Sequence, residues 1–236
     1  MKKLIIIPTY NESENIQEII HEIIKLDIDD LNILVVDDNS PDHTYDLVEN
    51  IQKEHNDIHI IKRAGKLGLG SAYVEGFRFA IKNDYDVVVE MDADFSHNHK
   101  YLSEIFRKIK EYDFVIASRY VEGGGVENWS VCRRMISKFG SFYSRTILGV
   151  SIRDFTGGFN AWRVSVLKTL DLDNIKSDGY SFQIEMKYKV VKNGFAYTEM
   201  PIIFQERREG ESKMSKYILI EAVWRVFLMR FKKDKI

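Results

Sequence analysis

The stretch VVVEMDAD, residues 87–94, decides how the chain is read. Val87–Met91 reads as an apolar run of strand length, and it stops at the acidic group Asp92-Ala93-Asp94. A short apolar run bounded by turn residues is the pattern of a strand buried on both faces. The pattern recurs on either side. Leu4–Ile7 runs into Pro8–Glu12, and Ile33–Val36 runs into Asp37-Asp38 and the turn residues Asn39–Asp42. Ile58–Ile61 is a further strand, and Phe114–Ala117 runs into Ser118-Arg119.

Helical spacing lies between these runs. Ile16, Ile19, Ile20, Ile23 and Ile24 repeat on one face, with Asn11 and Glu14 expected as a cap and its reciprocal partner. Leu47, Val48 and Ile51 mark a second helix, and a glycine turn, Gly65 to Gly70, opens a third. Leu102, Ile105, Phe106 and Ile109 mark a fourth. The alternation predicts an α/β fold, a mainly parallel sheet with helices on both faces. Ligands of such sheets bind beyond the carboxyl ends of the strands. Pro8–Glu12, Asp37-Asp38, Asp92–Asp94 and Ser118-Arg119 all fall there.

The second half is less regular. Gly123-Gly124-Gly125 reads as a flexible loop, Val131–Leu148 as a helix and Gly157-Gly158 as a turn. Ser181–Val191 reads as helical, Ala196–Phe204 as extended, and Met214 to Phe231 as one long helix. Domains are expected at 1–212, a catalytic body, and 213–236, an amphipathic C-terminal helix.

Composition narrows the function classes. The 236 residues suit one large domain. The formal net charge of -2 gives no basic field for nucleic acid, so no nucleic-acid partner is expected. Cys132 is the only cysteine, which excludes an internal disulfide and suggests a reducing, cytoplasmic compartment. With no evident histidine partner, it is not expected to be a catalytic thiol. The apolar run in MKKLIIIPTY is too short for a signal peptide, and no charge-free stretch is long enough to cross a bilayer. A soluble or peripheral protein is expected.

Asp92 and Asp94 offer hard oxygen ligands of the kind that bridge Mg2+ or Mn2+ to a diphosphate, although a DxD also serves as a capping turn. The Gly65–Gly70 loop has the wrong spacing and the wrong strand for a dinucleotide fingerprint, which disfavours an NAD-linked oxidoreductase. Arg119, Arg133, Arg134, Arg207 and Arg208 are candidate phosphate ligands, because the guanidinium fork matches phosphate oxygens; each also reads as a solvated surface charge. His97 reads as a ligand or as a turn and packing residue. The tail joins Ile218, Leu219, Val223, Trp224, Val226, Phe227 and Phe231 to Arg225, Arg230, Lys232, Lys233 and Lys235. That pattern suits a helix lying on an anionic membrane, or one packed on the body or a partner.

Together the segments IIPTYNESENI, VVDDNSPDHT, GKLGLGSAY, MDADFSH, ASRYVEGGGVENWSVCRRMIS, DFTGGF, GYSFQIEM and RREGESKMS resemble, in order and over nearly the whole chain, the polyprenyl-phosphate (dolichol-phosphate) mannose synthases of glycosyltransferase family 2. The resemblance implies a GT-A (Rossmann-like) glycosyltransferase fold and transfer of mannose from GDP-mannose to a polyprenyl phosphate. It implies that Pro8, Tyr10, Glu12 and Asp38 line the guanosine site. Asp92, Ala93 and Asp94 would meet the diphosphate, with Asp94, Ser96 and Asp92 holding Mg2+ or Mn2+. Arg119, Arg133 and Ser137 would bind the acceptor phosphate. Arg207 and Lys213 would close over the donor, and Asp94, Arg119 and Arg207 would act in the reaction itself. A membrane surface and a small membrane-anchoring subunit are the implied partners, at the cytoplasmic face.

Three positions depart from the pattern: Asn98 stands in place of proline, Asn160 in place of arginine, and Asp178 in place of a basic residue. They bear on donor and acceptor preference. A phosphate monoester already carries about -1.5 to -2 charge at pH 7, so no protein base is required. The rival readings are a UDP-glucose-dependent polyprenyl-phosphate glucosyltransferase and a non-catalytic nucleotide- or membrane-binding module.

Overall fold

The computed structural model describes residues 1–175, 177–206 and 216–231. The chain runs β1 (Lys3–Thr9), α1 (Ile16–Ile24), β2 (Leu31–Asp37), α2 (Thr44–Glu54), β3 (Ile58–Lys62), α3 (Leu69–Lys82), β4 (Val87–Glu90), α4 (Leu102–Lys108) and β5 (Phe114–Ser118). It continues through β6 (Gly125–Val126), α5 (Val131–Leu148), β7 (Asn160–Arg163), α6 (Val164–Leu167), α7 (Gly179–Lys192), β8 (Tyr197–Pro201), β9 (Ile203–Phe204) and α8 (Lys216–Phe231).

Seven strands form one sheet in the order β3-β2-β1-β4-β7-β5-β8. Every pairing is parallel except those of β7, which runs antiparallel between β4 and β5. Successive strand residues face opposite sides, so each apolar strand feeds two cores. Leu4, Ile6, Leu34 and Val36 pack with α3 and α7, whereas Ile5, Ile7, Ile33 and Val35 pack with α1, α2 and α4. Gly76 lets α3 approach the sheet, since a Cβ there would lie 2.6 Å from Ile6 Cδ1. Strand order reverses between β1 and β4, which places the site crevice at their carboxyl ends.

Several expectations are corrected. The first helix starts at Ile16 with Asn15 in the cap position. Asn11 instead adopts φ 58° and its N–H donates to Ser40 Oγ at 3.0 Å. The glycine loop is partly ordered: β6 pairs with β9, and Gly125 N–H donates to the Ile202 carbonyl at 2.9 Å. The apolar reading of Val87–Met91 passed over Glu90, a fully buried carboxylate within β4.

Helix α8 packs on α5 and α7. Val226 is buried there, and Tyr143 Oη donates to the Val223 carbonyl at 3.1 Å. Burying one such valine is worth about 1.5–3 kcal/mol. The docking leaves Trp224, Phe227 and Phe231 exposed. Among the described residues no helix is long and apolar enough to cross a membrane.

Candidate active site

The acidic turn after β4 is built around His97. The Asp92 N–H donates to His97 Nδ1 at 3.0 Å, which assigns the ring proton to Nε2, 3.8 Å from Asp92 Oδ2. The imidazole stacks on Phe159 at 4.9 Å and meets Phe204 edge-on at 5.5 Å. Burial lowers its pKa, against the upward pull of Asp92 and Asp94. His97 therefore shapes the turn and packs beneath it as a neutral ring.

Asp94 is buried and its Oδ1 accepts the Ser96 N–H at 3.0 Å, while Asp92 is partly exposed. Ser96 Oγ is buried with no hydrogen-bond partner among the described residues. Two carboxylates beside an unclaimed hydroxyl fit a hard divalent cation. Among the described residues no three His, Cys, Asp or Glu side chains converge on one point. A cation here would complete its shell with water or substrate oxygens, as Mg2+ commonly does.

Beyond β1 and β2 lies the nucleotide end predicted from sequence. Pro8 belongs to β1, and the Tyr10 ring carries Lys66 Nζ at 4.1 Å from its centroid. The Glu12 N–H donates to Thr44 Oγ1 at 3.0 Å, which anchors this segment to α2. Asp38 is already committed. Its Oδ1 takes Arg63 Nη1 at 2.5 Å, and its Oδ2 accepts the Leu67 and Gly68 N–H groups, each at 3.1 Å. Gly68 adopts φ 98°, a region that favours glycine. Asp38 thus fixes the glycine turn beside the crevice. Asp178 holds the same turn from α7, accepting the Gly70 N–H at 2.6 Å, which gives this departure from the family pattern a structural role.

The predicted acceptor residues do come together. Arg119 is buried and grips Asp154 with both arms of its fork, Nε to Oδ2 and Nη2 to Oδ1, each at 2.7 Å. Nη2 also donates to Thr156 Oγ1 at 2.9 Å. The guanidinium lies over Tyr120, Trp129 and Phe204 at 5.2–5.5 Å. Arg133 stacks on the same Trp129 at 4.1 Å and pairs with Glu206 at 2.6 Å. Ser137 Oγ accepts Tyr120 Oη at 2.7 Å and lies 3.4 Å from Thr156 Oγ1. Arg207 and Lys213 lie outside the described residues.

Arg133, Ser137 and Thr156 also line a cavity of about 530 Å³ between α5, α7 and α8. Its remaining wall is mostly apolar, with Trp129, Ile136, Phe139, Tyr143, Ile184 and Val226 among its residues. On the outer face of α5, Val131, Met135, Phe139 and Phe142 are each more than half exposed. Arg133, Arg134, Lys138 and Arg145 share that helix, which contains no acid.

Sequence reasoning missed Asp154, although it quoted DFTGGF, because nothing in sequence pairs residue 119 with 154. Glu90 and Lys187 were missed as well. A lone charge closing an apolar run marks Glu90, whereas Lys187 shares its helix with Glu185, Lys189 and Lys192 and carries no such signal.

Comparison with known proteins places these features. Residues 4–171 match the family model described as glycosyl transferase family 2. The chain is 44% identical over 223 residues to an undecaprenyl-phosphate mannosyltransferase of Micrococcus luteus, covering 94% of this chain and 91% of that one. It is 43% identical over 227 residues to a polyprenol monophosphomannose synthase of Mycolicibacterium smegmatis, covering 95% and 85%. In fold it is similar to glucosyl-3-phosphoglycerate synthase of Mycobacterium tuberculosis solved with Mn2+, UDP-glucose and phosphoglyceric acid. The TM-score is 0.73 at 15% identity, over 99% of this chain and 81% of that one.

Proposed function

Since the chain belongs to glycosyl transferase family 2 and has its GT-A fold, we propose that it transfers mannose from GDP-mannose to a polyprenyl phosphate, with inversion and with Mg2+ or Mn2+. One observation carries this reading: Arg133, Ser137 and Thr156 line a wide apolar cavity and stand beside Arg119. A phosphate on an apolar chain fits such a junction, its head on the polar wall and its chain along Trp129, Ile136 and Val226. The names of the relatives that are 43–44% identical point to the same chemistry.

In this mechanism an acceptor phosphate oxygen attacks the anomeric carbon as the bond to the GDP oxygen breaks. No proton need be removed from the acceptor, because the monoester is already anionic. Arg119 and Arg133 orient the phosphate and offset its charge, with Ser137 as a hydrogen-bonding neighbour. Asp92, Ala93 and Asp94 face the diphosphate, and Asp94, Ser96 and Asp92 would hold the cation. When bound, that cation neutralises charge on the departing diphosphate. Pro8, Tyr10 and Glu12 line the guanosine, and Asp38 acts on it through the glycine turn. For Arg207 and Lys213 the role rests on the resemblance alone.

Residues 1–212 form the catalytic body in this reading, and 213–236 the docking segment. The exposed apolar and basic surface of α5, continued by Trp224, Phe227 and Phe231 of α8, would rest on an anionic membrane at its cytoplasmic face. A small membrane subunit could share that surface. The test compares GDP-mannose with UDP-glucose on one polyprenyl phosphate, in wild type and in Ile136→Trp, which fills the cavity. GDP-mannose is expected to be preferred, and Ile136→Trp to lose acceptor turnover while still binding GDP. Preference for UDP-glucose would overturn the donor, and full activity of Ile136→Trp would overturn the acceptor site.

A further inference from the structure

Beneath the site lies a buried charged cluster that the mechanism leaves unused. Lys187 projects from α7 and is fully buried. Its Nζ donates to the carbonyls of Asp154 at 2.9 Å, Phe155 at 3.2 Å and Gly157 at 2.7 Å. An ammonium has three donors, and all three are spent on one loop.

That loop holds Arg119. The Asp154 carboxylate takes the Arg119 backbone N–H at 2.9 Å as well as both arms of the fork. Asp154 Oδ1 also takes the Gly157 N–H at 3.0 Å, and Thr156 supplies a further acceptor for Arg119. The loop is tied on its other side to β4. Asn160 Nδ2, which has two N–H groups, donates to Glu90 Oε2 and to Gln183 Oε1, each at 2.8 Å, and lies 3.2 Å from the Gly157 carbonyl. Glu90 ends the strand that leads into Asp92 and Asp94. The Gly157 carbonyl therefore accepts from the cation on α7 and lies against the amide that reaches the strand carrying Glu90.

We propose that Lys187 is a positioning residue for transfer: its ammonium sets the 154–157 loop, and through Asp154 and Thr156 it aims the Arg119 guanidinium at the acceptor phosphate. The part concerning the acceptor rests on the proposed function; the part concerning Arg119 does not. A buried lysine that only filled space would be replaced by methionine without change at Arg119, because methionine matches its length and is apolar. A lysine that aims the arginine would not be replaceable in that way.

The groups facing Lys187 are Glu90 on β4, Arg119 after β5, Asp154 before β7 and Glu199 on β8. Burial pushes its ammonium down to about 8, against the pull of Asp154 and Glu90. The positioning contact accordingly weakens on the alkaline side in the wild-type protein itself.

The test follows the side-chain Nε–H resonance of Arg119, assigned by its loss in Arg119→Lys, in wild type, Lys187→Met and Lys187→Arg. Acceptor and donor kinetics are measured on the same samples. In Lys187→Met the resonance is expected to shift or broaden. Its kcat/KM for polyprenyl phosphate is expected to fall about tenfold to a hundredfold, the scale of a displaced positioning group, while GDP affinity stays the same. Lys187→Arg, which keeps the charge and the donors, is expected to restore most of both signals. If Lys187→Met does not fold, the resonance is titrated in Glu90→Gln, which removes the neighbouring carboxyl that titrates in the same range, and it is expected to move on the alkaline side as Lys187 loses its proton. An Arg119 signal unchanged by Lys187→Met, or by that titration, overturns the proposal. A signal that moves as expected in a protein with no transfer to any polyprenyl phosphate supports the positioning of Arg119 and overturns the proposed function instead.

Discussion

Replacing Asp154 with asparagine tests the joint that holds Arg119. The carboxylate is fully buried and receives three bonds from Arg119 and one from Gly157. Burial alone would raise its pKa, yet the Arg119 charge and hydrogen bonds bring it down to about 2 from 3.8. A drop of that size corresponds to about 2 kcal/mol of folding stability at neutral pH. Because the folded pKa lies below the unfolded one, this contribution is complete above about pH 4 and is lost as pH falls through about 2.

Asparagine keeps the shape and one acceptor oxygen but leaves the Arg119 guanidinium buried without a counter-charge. Breaking a buried pair in this way costs about 3–5 kcal/mol. For a chain of this length each kcal/mol moves the melting temperature by roughly 2–4 °C, so the drop should be roughly 6–20 °C. Urea unfolding followed by circular dichroism measures the free-energy loss and thermal unfolding the temperature drop, with the Arg119→Met/Asp154→Leu double variant beside them. The double variant, which removes both charges, is expected to be more stable than Asp154→Asn. A loss below about 1 kcal/mol in Asp154→Asn, with the slope of the transition unchanged, would refute the reasoning.

Three further outcomes are expected. Asp94→Ala should lose metal-dependent turnover by at least about a hundredfold with its melting temperature little changed, as measured by mannosyl transfer across a Mn2+ titration. Glu90→Gln should gain stability relative to wild type as pH rises from about 5 to 8. Burial raises the Glu90 carboxyl from 4.5 to about 8, so its contribution is complete below about 4.5 and is lost as pH climbs to the folded value; chemical unfolding at several pH values checks the slope. Val131→Glu combined with Phe142→Glu, on the exposed face of α5 and outside the cavity wall, should reduce co-sedimentation with vesicles containing anionic lipid and leave GDP binding intact.

Much of this architecture is legible in sequence because parallel strands covered on both faces must be continuously apolar, as Leu4–Ile7 and Ile33–Val36 are. Their carboxyl ends then announce the crevice, and Asp92–Asp94 falls there. Strand β7 was not legible. Asn160–Arg163 is four residues long, and only tertiary placement makes it the antiparallel member between β4 and β5. The cap expected at Asn11 fails because that residue sits in a left-handed turn bound to Ser40, and the helix begins at Ile16 without a side-chain cap from Asn15. The coupling of Arg119 to Asp154, 35 residues away, leaves no local trace. Packing bears on two readings that the sequence leaves open: His97 stacks beneath its turn, and α8 docks on α5 and α7 while keeping exposed aromatic residues.

The most direct measurement is transfer of radiolabelled mannose from GDP-mannose into extractable polyprenyl phosphate, run after chelation and again with Mg2+ or Mn2+ restored. A lipid-soluble product is expected that disappears with chelator and returns with either cation. A product that forms equally well without any divalent cation would contradict the role given to Asp94 and Ser96, and the absence of a mannosylated lipid under all conditions would contradict mannosyl transfer to a polyprenyl phosphate.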